Sequence, residues 1–230
     1  MNAKEINTSN LKLKVLLYGK SGTGKTTFAC SFPRPYIFDF DNGMLSQRGK
    51  DVEFDTVTDY GSVGLQLSKL ESSCPYETVV LDSITTMQEL HMNYILAQNG
   101  KKMPTMNEWN ILISNTTDLF MRLTALKRHL VVIAHEQLIQ DEITGEVLYR
   151  PIIAGKKTAD RLPLWFDECY RTQIGKTKEG SPVGQLVTTA DVKFMAKSRH
   201  NCFAPIQDWG VGTKVENPYS YIVERMGGGR

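Results

Sequence analysis

The sequence predicts one α/β domain built on a mainly parallel, doubly wound sheet. Three observations predict it. Short apolar runs recur along the chain, and Val79-Val80-Leu81 and Leu130-Val131-Val132-Ile133 are continuously apolar rather than alternating, as strands buried on both faces are. Segments of helical length stand between the runs, as crossover connections require. The first run opens into a glycine-rich loop and then a helix, and in such sheets ligands bind beyond the carboxyl ends of the strands. At 230 residues, 41% of them hydrophobic, the chain is long and apolar enough for one sizeable core.

Taken in order, residues 1–10 are polar and read as a flexible arm. Leu11 to Tyr18 is the first strand and Thr26 to Ser31 the helix after the loop, stopped by Pro33 and Pro35. Tyr36 to Asp41 is a second strand ending in carboxylates, with Asn42-Gly43 as a turn. Val52 to Val57 is a short strand, and Val63, Leu65, Leu67 and Leu70 mark a modest helix. Thr78 to Ser83 is a strand closing on Asp82, and Ile84 to Gln98 is helical. Trp109, Leu112, Ile113, Thr116, Leu119, Phe120, Leu123 and Leu126 repeat at three-and-four spacing, an amphipathic helix whose stripe reads as core. His129 to Ala134 is the next strand. Leu138-Ile139 and Val147 to Tyr149 form a hairpin about Thr144-Gly145. A short helix follows around Thr158 to Leu162. Phe166 to Ile174 and Gln185 to Thr189 are two late strands, with Lys176 to Gly184 as a mobile tip. Residues 227–230 read as a flexible tail.

The glycine-rich loop is Gly19-Lys20-Ser21-Gly22-Thr23-Gly24-Lys25-Thr26, the full G-x-x-x-x-G-K-[ST] pattern between a strand and a helix. Its glycines let the backbone fold tightly and aim successive N–H groups inward, where they and the helix N-terminus cradle a polyphosphate. Lys25 reaches the β- and γ-phosphates, the Thr26 hydroxyl ligates Mg²⁺, and Thr27 completes the nucleotide contacts. Asp82 closes an aliphatic run in the Walker-B manner, where a carboxylate holds the same Mg²⁺ directly or through water.

Composition removes several alternatives. The net charge is only +2, so any nucleic-acid binding must come from a local patch. Cys30, Cys74, Cys169 and Cys202 have no C-x-x-C spacing, which argues against zinc. Scattered thiols and no signal peptide point to a reducing cytoplasm, and no apolar run reaches membrane-spanning length.

Val79-Val80-Leu81-Asp82-Ser83-Ile84-Thr85 resembles the RecA-type Walker B, in which Ser follows the Asp. Phe38 to Leu45 falls where RecA-like ATPases carry their catalytic acid, and Val131 to Glu136 where they place a γ-phosphate sensor. Ala196-Lys197-Ser198-Arg199 resembles the K-x-R element of RecA-fold hexameric helicases. With Phe166-Asp167-Glu168, the set is most similar to the small bacteriophage RecA-like ATPases grouped with single-strand annealing proteins. The resemblance covers roughly Leu11 to Ile206. It implies a RecA-like core over residues 11–226 that hydrolyses ATP with Mg²⁺ as a homo-oligomer, ring or filament. It also implies single-stranded DNA as partner, annealing or strand exchange as the task, and a phage single-strand binding or annealing protein as associate in the host cytoplasm. Asp41 stands where RecA has a longer Glu, and His135 where RecA has Gln. No long N-terminal domain of the RecA kind precedes the loop, which weighs against a RecA-type filament.

On this reading Asp41 orients or deprotonates the attacking water, with Asp39 as the alternative. His135 senses the γ-phosphate, with Glu136 competing for either role. Lys197 and Arg199 reach a neighbouring subunit's nucleotide as a finger, or else form a solvated basic edge. Arg150, Lys156, Lys157 and Arg161 bind DNA phosphates, with Tyr149 stacking a base, or else line an ordinary loop. Rival functions are a helicase motor or loader, a small-molecule kinase, and a nucleotide-gated binding module with negligible turnover.

Overall fold

A computed structural model describes residues 11–72, 75–140 and 145–227. The proposed arm at residues 1–10, Thr144 of the hairpin turn, Cys74 and residues 228–230 of the tail lie outside them.

Six parallel strands form the centre: β1 (Lys14–Gly19), β2 (Pro35–Asp39), β3 (Glu53–Thr56), β4 (Thr78–Asp82), β5 (His129–Gln140) and β7 (Glu168–Lys176). Their order is β7-β1-β5-β4-β2-β3, so β5 lies between the loop strand β1 and the acid strand β4. Beyond β7 the sheet turns antiparallel through β8 (Pro182–Val187) and β10 (Ile206–Trp209). Two short antiparallel additions, β6 (Val147–Pro151) on β5 and β9 (Lys197–Ser198) on β7, complete it.

Strand alternation sorts the core into two layers. Leu16, Tyr18, Leu81, Val132 and Ala134 face α2 (Val63–Ser72), α3 (Ile84–Gln98), α4 (Met106–Ala125) and α5 (Lys156–Trp165). Leu17, Ile37, Val80, Val131 and Ile133 face α1 (Lys25–Ala29) and α6 (Pro218–Gly227). Val80, Val131 and Leu17 are fully buried, which is why these strands carry no polar alternation.

Several boundaries move. The first strand begins at Lys14, because Asp167 Oδ2 takes the Lys14 backbone N–H at 3.1 Å and the ladder starts there. The second ends at Asp39, and Asn42 adopts a positive φ of 55°, which leaves Asp41 in the turn. β5 continues past Ala134 straight into the hairpin with β6. Lys176 pairs with Pro182 and Ile174 with Gly184, so the expected tip shrinks to residues 177–181. β10 was not expected, nor was α6, whose last residue Gly227 was read as tail.

Candidate nucleotide site

The parallel strands all end on one side of the sheet, and β1, β2, β4 and β5 bring Gly19, Asp39, Asp82 and His135 together there. The loop after β1 is held from several directions. A Cβ on Gly19 would lie 2.4 Å from the Thr172 carbonyl oxygen, so only glycine fits between β1 and β7. The Thr23 hydroxyl meets the Thr172 hydroxyl at 2.6 Å and donates to the Lys20 carbonyl at 2.8 Å. Thr27 accepts from Gln47 Nε2 at 3.0 Å.

Lys25 is 7% exposed and donates to the carbonyls of Gly19 (3.0 Å) and Lys20 (2.7 Å). Burial lowers its pKa, against the pull of Asp82, Asp41 and Glu136. The Thr26 hydroxyl donates to Asp82 Oδ2 at 2.6 Å. Burial pushes the Asp82 carboxyl up to about 6; Asp41 and Asp39 add to the rise, and Thr26 and Lys25 only partly offset it. Two hard oxygen donors in contact, one of them a carboxylate short of cationic partners, fit Mg²⁺ held jointly with phosphates and water.

Asp41 sits opposite. Its Oδ1 accepts from Ser83 Oγ at 3.0 Å and from Thr86 Oγ1, and its Oδ2 pairs with His135 Nε2 at 2.8 Å. Burial works to raise its pKa, but the hydrogen bonds from His135, Thr86 and Ser83 win and lower it. Asp39 is spent elsewhere: its carboxylate takes the backbone N–H groups of Gly43 (3.0 Å) and Met44 (3.4 Å), which fixes the turn carrying Asp41. Glu136 is also spent, on a two-pronged pair with Arg171 at 2.5 and 3.1 Å. Arg171 in turn lies 4.4 Å from the Tyr149 ring and 4.8 Å from that of Phe194. Tyr149 therefore presents that face to a cation of its own chain, not to a nucleobase. A cavity of about 660 Å³ opens among Lys25, Thr26, Asp41, Asp82, Thr86 and His135.

The profile of one protein family, described as an AAA domain, matches residues 11–200. The chain belongs to that AAA-domain family. It is thus an AAA-type P-loop ATPase. No curated protein matches it. Among the described residues no helix is long and apolar enough to cross a membrane.

The AAA domain has a second cavity, of about 500 Å³, between α3, α4 and the base of the β5–β6 hairpin. Met92, Leu96, Leu112 and Trp109 line it with Gln137 and Ala154. Trp109 is 40% exposed, so the α4 stripe is main core at Leu119, Phe120 and Leu123 but cavity wall at Trp109 and Leu112. The first turn of α3 divides the two cavities. Thr86 lines the nucleotide side. Thr85 lines the other; its hydroxyl accepts from the His135 backbone N–H and donates to the Ile152 carbonyl, both at 3.0 Å.

Lys156 and Lys157 are exposed at the start of α5, separated from Ala154 by Gly155, and Arg161 is exposed near the Trp165 ring, 5.9 Å from its centroid. Arg150 is half-buried on β6. Lys197 turns inward, donating to the carbonyls of Pro163 and Phe166 at the end of α5. Arg199 is exposed and pairs with Asp167 at 2.7 Å. Its backbone is level with Lys14, at the start of β1, five residues or roughly 16 Å from Gly19. Of the two cations, Lys197 is thus a capping lysine and Arg199 an exposed arginine remote from its own chain's loop.

Proposed function

We propose that this ATPase hydrolyses ATP with Mg²⁺ and couples the cycle to single-stranded DNA in an oligomer of the phage recombination type. The observation that carries the reading is the back-to-back arrangement of the two cavities across Thr85 and Thr86.

On the nucleotide side Lys25 binds the β- and γ-phosphates with charge-assisted bonds. Thr26 and Asp82 would hold Mg²⁺, which when bound neutralises charge developing on the phosphate oxygens. Asp41 stays ionised, and a carboxylate of lowered pKa is a weak base, so it orients the attacking water more than it deprotonates it. His135 fixes Asp41 from the far side. On the other side, Trp109 offers an aromatic face, and exposed Lys102, Lys156 and Lys157 flank the lining residues Pro104 and Ala154 in sequence. An aromatic platform between cations suits an unpaired strand, which is bound by stacking and phosphate contacts without sequence readout. Arg199, if it acts, can reach only a neighbouring subunit's nucleotide.

A labelled oligonucleotide titration and ATP turnover with and without DNA test the reading. Binding should weaken in Trp109→Ala and in the Lys156→Ala/Lys157→Ala double variant. The double variant should also flatten the salt dependence by about 0.7 per lost phosphate contact. Asp41→Ala should bind ATP and turn it over slowly. No DNA binding at any salt would sink the DNA half and leave the ATPase standing, and unwinding of a tailed duplex would select a helicase motor instead.

A further inference from the structure

The AAA-domain match ends at residue 200, yet the chain after it returns to the P-loop. β10 runs in the same direction as β1, because it is antiparallel to β8 and β8 is antiparallel to β7. Its last residue, Trp209, pairs with Gly184 and so emerges at the nucleotide end of the sheet. There the indole is 5% exposed and meets Phe28 of α1 edge to face, with ring centroids 5.8 Å apart.

The contact with the loop is closer still. Gly24 precedes α1 with φ 86° and ψ 12°, a left-handed conformation that side chains resist. A Cβ there would stand 2.8 Å from Trp209 Cζ2 and 2.9 Å from Cη2. The benzenoid edge of the indole is therefore seated against the Gly24 backbone. α1 spans only five residues, with no acidic residue in its first turn and no side-chain cap. So short a helix does not hold its own first turn, and its geometry depends on what packs against it. On this edge of the loop that neighbour is Trp209. α6 extends the same support: the Ser31 hydroxyl accepts from the Tyr219 backbone N–H at 3.3 Å, and the Tyr219 ring packs on Phe32 at 4.9 Å.

We infer that Trp209 is a positioning residue of the nucleotide site: it braces Gly24, and through it the Lys25 and Thr26 amides, so the segment after residue 200 is part of the ATP-binding machinery. The inference rests on nucleotide binding at the P-loop. Binding by the unaltered chain tests that separately.

The experiment uses the full chain. Trp209→Ala should lower affinity for a fluorescent ATP analogue at least tenfold, and Trp209→Phe, which returns a ring to Gly24, should recover most of it. Circular dichroism and thermal melting check that each variant is folded. In a chain also carrying Trp109→Phe and Trp165→Phe, Trp209 is the sole tryptophan of the three. Its emission should shift on adding MgATP, and that readout needs no destabilising change at 209. A folded Trp209→Ala protein with unaltered affinity would overturn the inference. Should Trp209→Ala not fold, unchanged emission from the sole-tryptophan protein at saturating MgATP would overturn it instead.

Discussion

Asp82 and Glu168 are both buried carboxylates at opposite ends of one sheet, on strands separated by β1 and β5, and their pKa values move in opposite directions. Asp82, at the carboxyl ends of the strands, receives one hydroxyl and faces two further acids, and its pKa rises to about 6. Glu168, at the start of β7, accepts from His200 Nδ1 (2.6 Å), the Tyr170 hydroxyl (2.5 Å) and the backbone N–H groups of Arg199 and His200. Burial acts against ionisation there too, but the bonds from His200, Ser198 and Tyr170 outweigh it and lower the pKa. A satisfied buried acid is a structural fastener. One left short of positive partners is a place prepared for a cation that arrives with the ligand.

The largest effect should come from removing the unsatisfied charge. Asp82→Asn should cost roughly 10²–10³-fold in Mg²⁺-dependent turnover while leaving metal-free nucleotide binding largely intact, as stopped-flow binding and phosphate release can separate. The same carboxyl predicts a pH profile. In the metal-free protein it is largely protonated below about 6 and must lose that proton to take a cation, so Mg²⁺ affinity should tighten as pH rises through that value. The profile should lose this limb in the variant.

Glu168→Gln is the counterpart at the other end. It should destabilise the fold by about 2–4 kcal/mol in urea unfolding with little change in nucleotide affinity. Because the folded pKa lies below the ordinary 4.5, that stabilisation is present above 4.5 and fades as pH falls below it. An equal loss of nucleotide affinity would break the division between the two ends.

A smaller effect has the reverse sign. The Asp82 pKa is raised from 3.8, so the ligand-free protein should lose stability as pH climbs from about 4 to about 6 and stay at the lower level above it. Asp82→Asn should therefore melt higher than the unaltered chain at pH 8, by about 1–2 kcal/mol, with the gain gone below pH 4. Smallest of all, Arg199→Ala breaks only an exposed pair with Asp167 and should cost less than about 1 kcal/mol. If turnover nevertheless collapses, mixing with Lys25→Ala protein should restore part of it when the arginine works across a subunit boundary.

The P-loop and the Asp82 strand were legible because their signals are local, fixed glycines and an unbroken aliphatic run; the structure adds the Ser83 cap of the helix Ile84–Gln98, its hydroxyl accepting from the Thr86 N–H at 3.4 Å. The choice between Asp41 and Asp39 was open in sequence, since two residues apart in a strand look alike. Only the turn after Asp39 puts one on the loop amides and the other on His135. The inward turn of Lys197, the Glu136–Arg171 pair and the Trp209–Gly24 contact join positions far apart in the chain, and nothing local announces them. β10 was missed because Ile206-Gln207-Asp208-Trp209 has one apolar residue at each end and no alternation.

Thr85 and Thr86 stand side by side in the chain yet look into different cavities, and thermodynamic reciprocity follows from that. If ATP, by pulling on Asp41 and Thr86, changes how tightly the second cavity holds its ligand, then the ligand, by moving Thr85, changes ATP affinity by the same factor. Two titrations, each run with and without the other ligand, must close on a single coupling free energy. This symmetry binds affinities only; it places no such demand on the rate at which ATP is consumed.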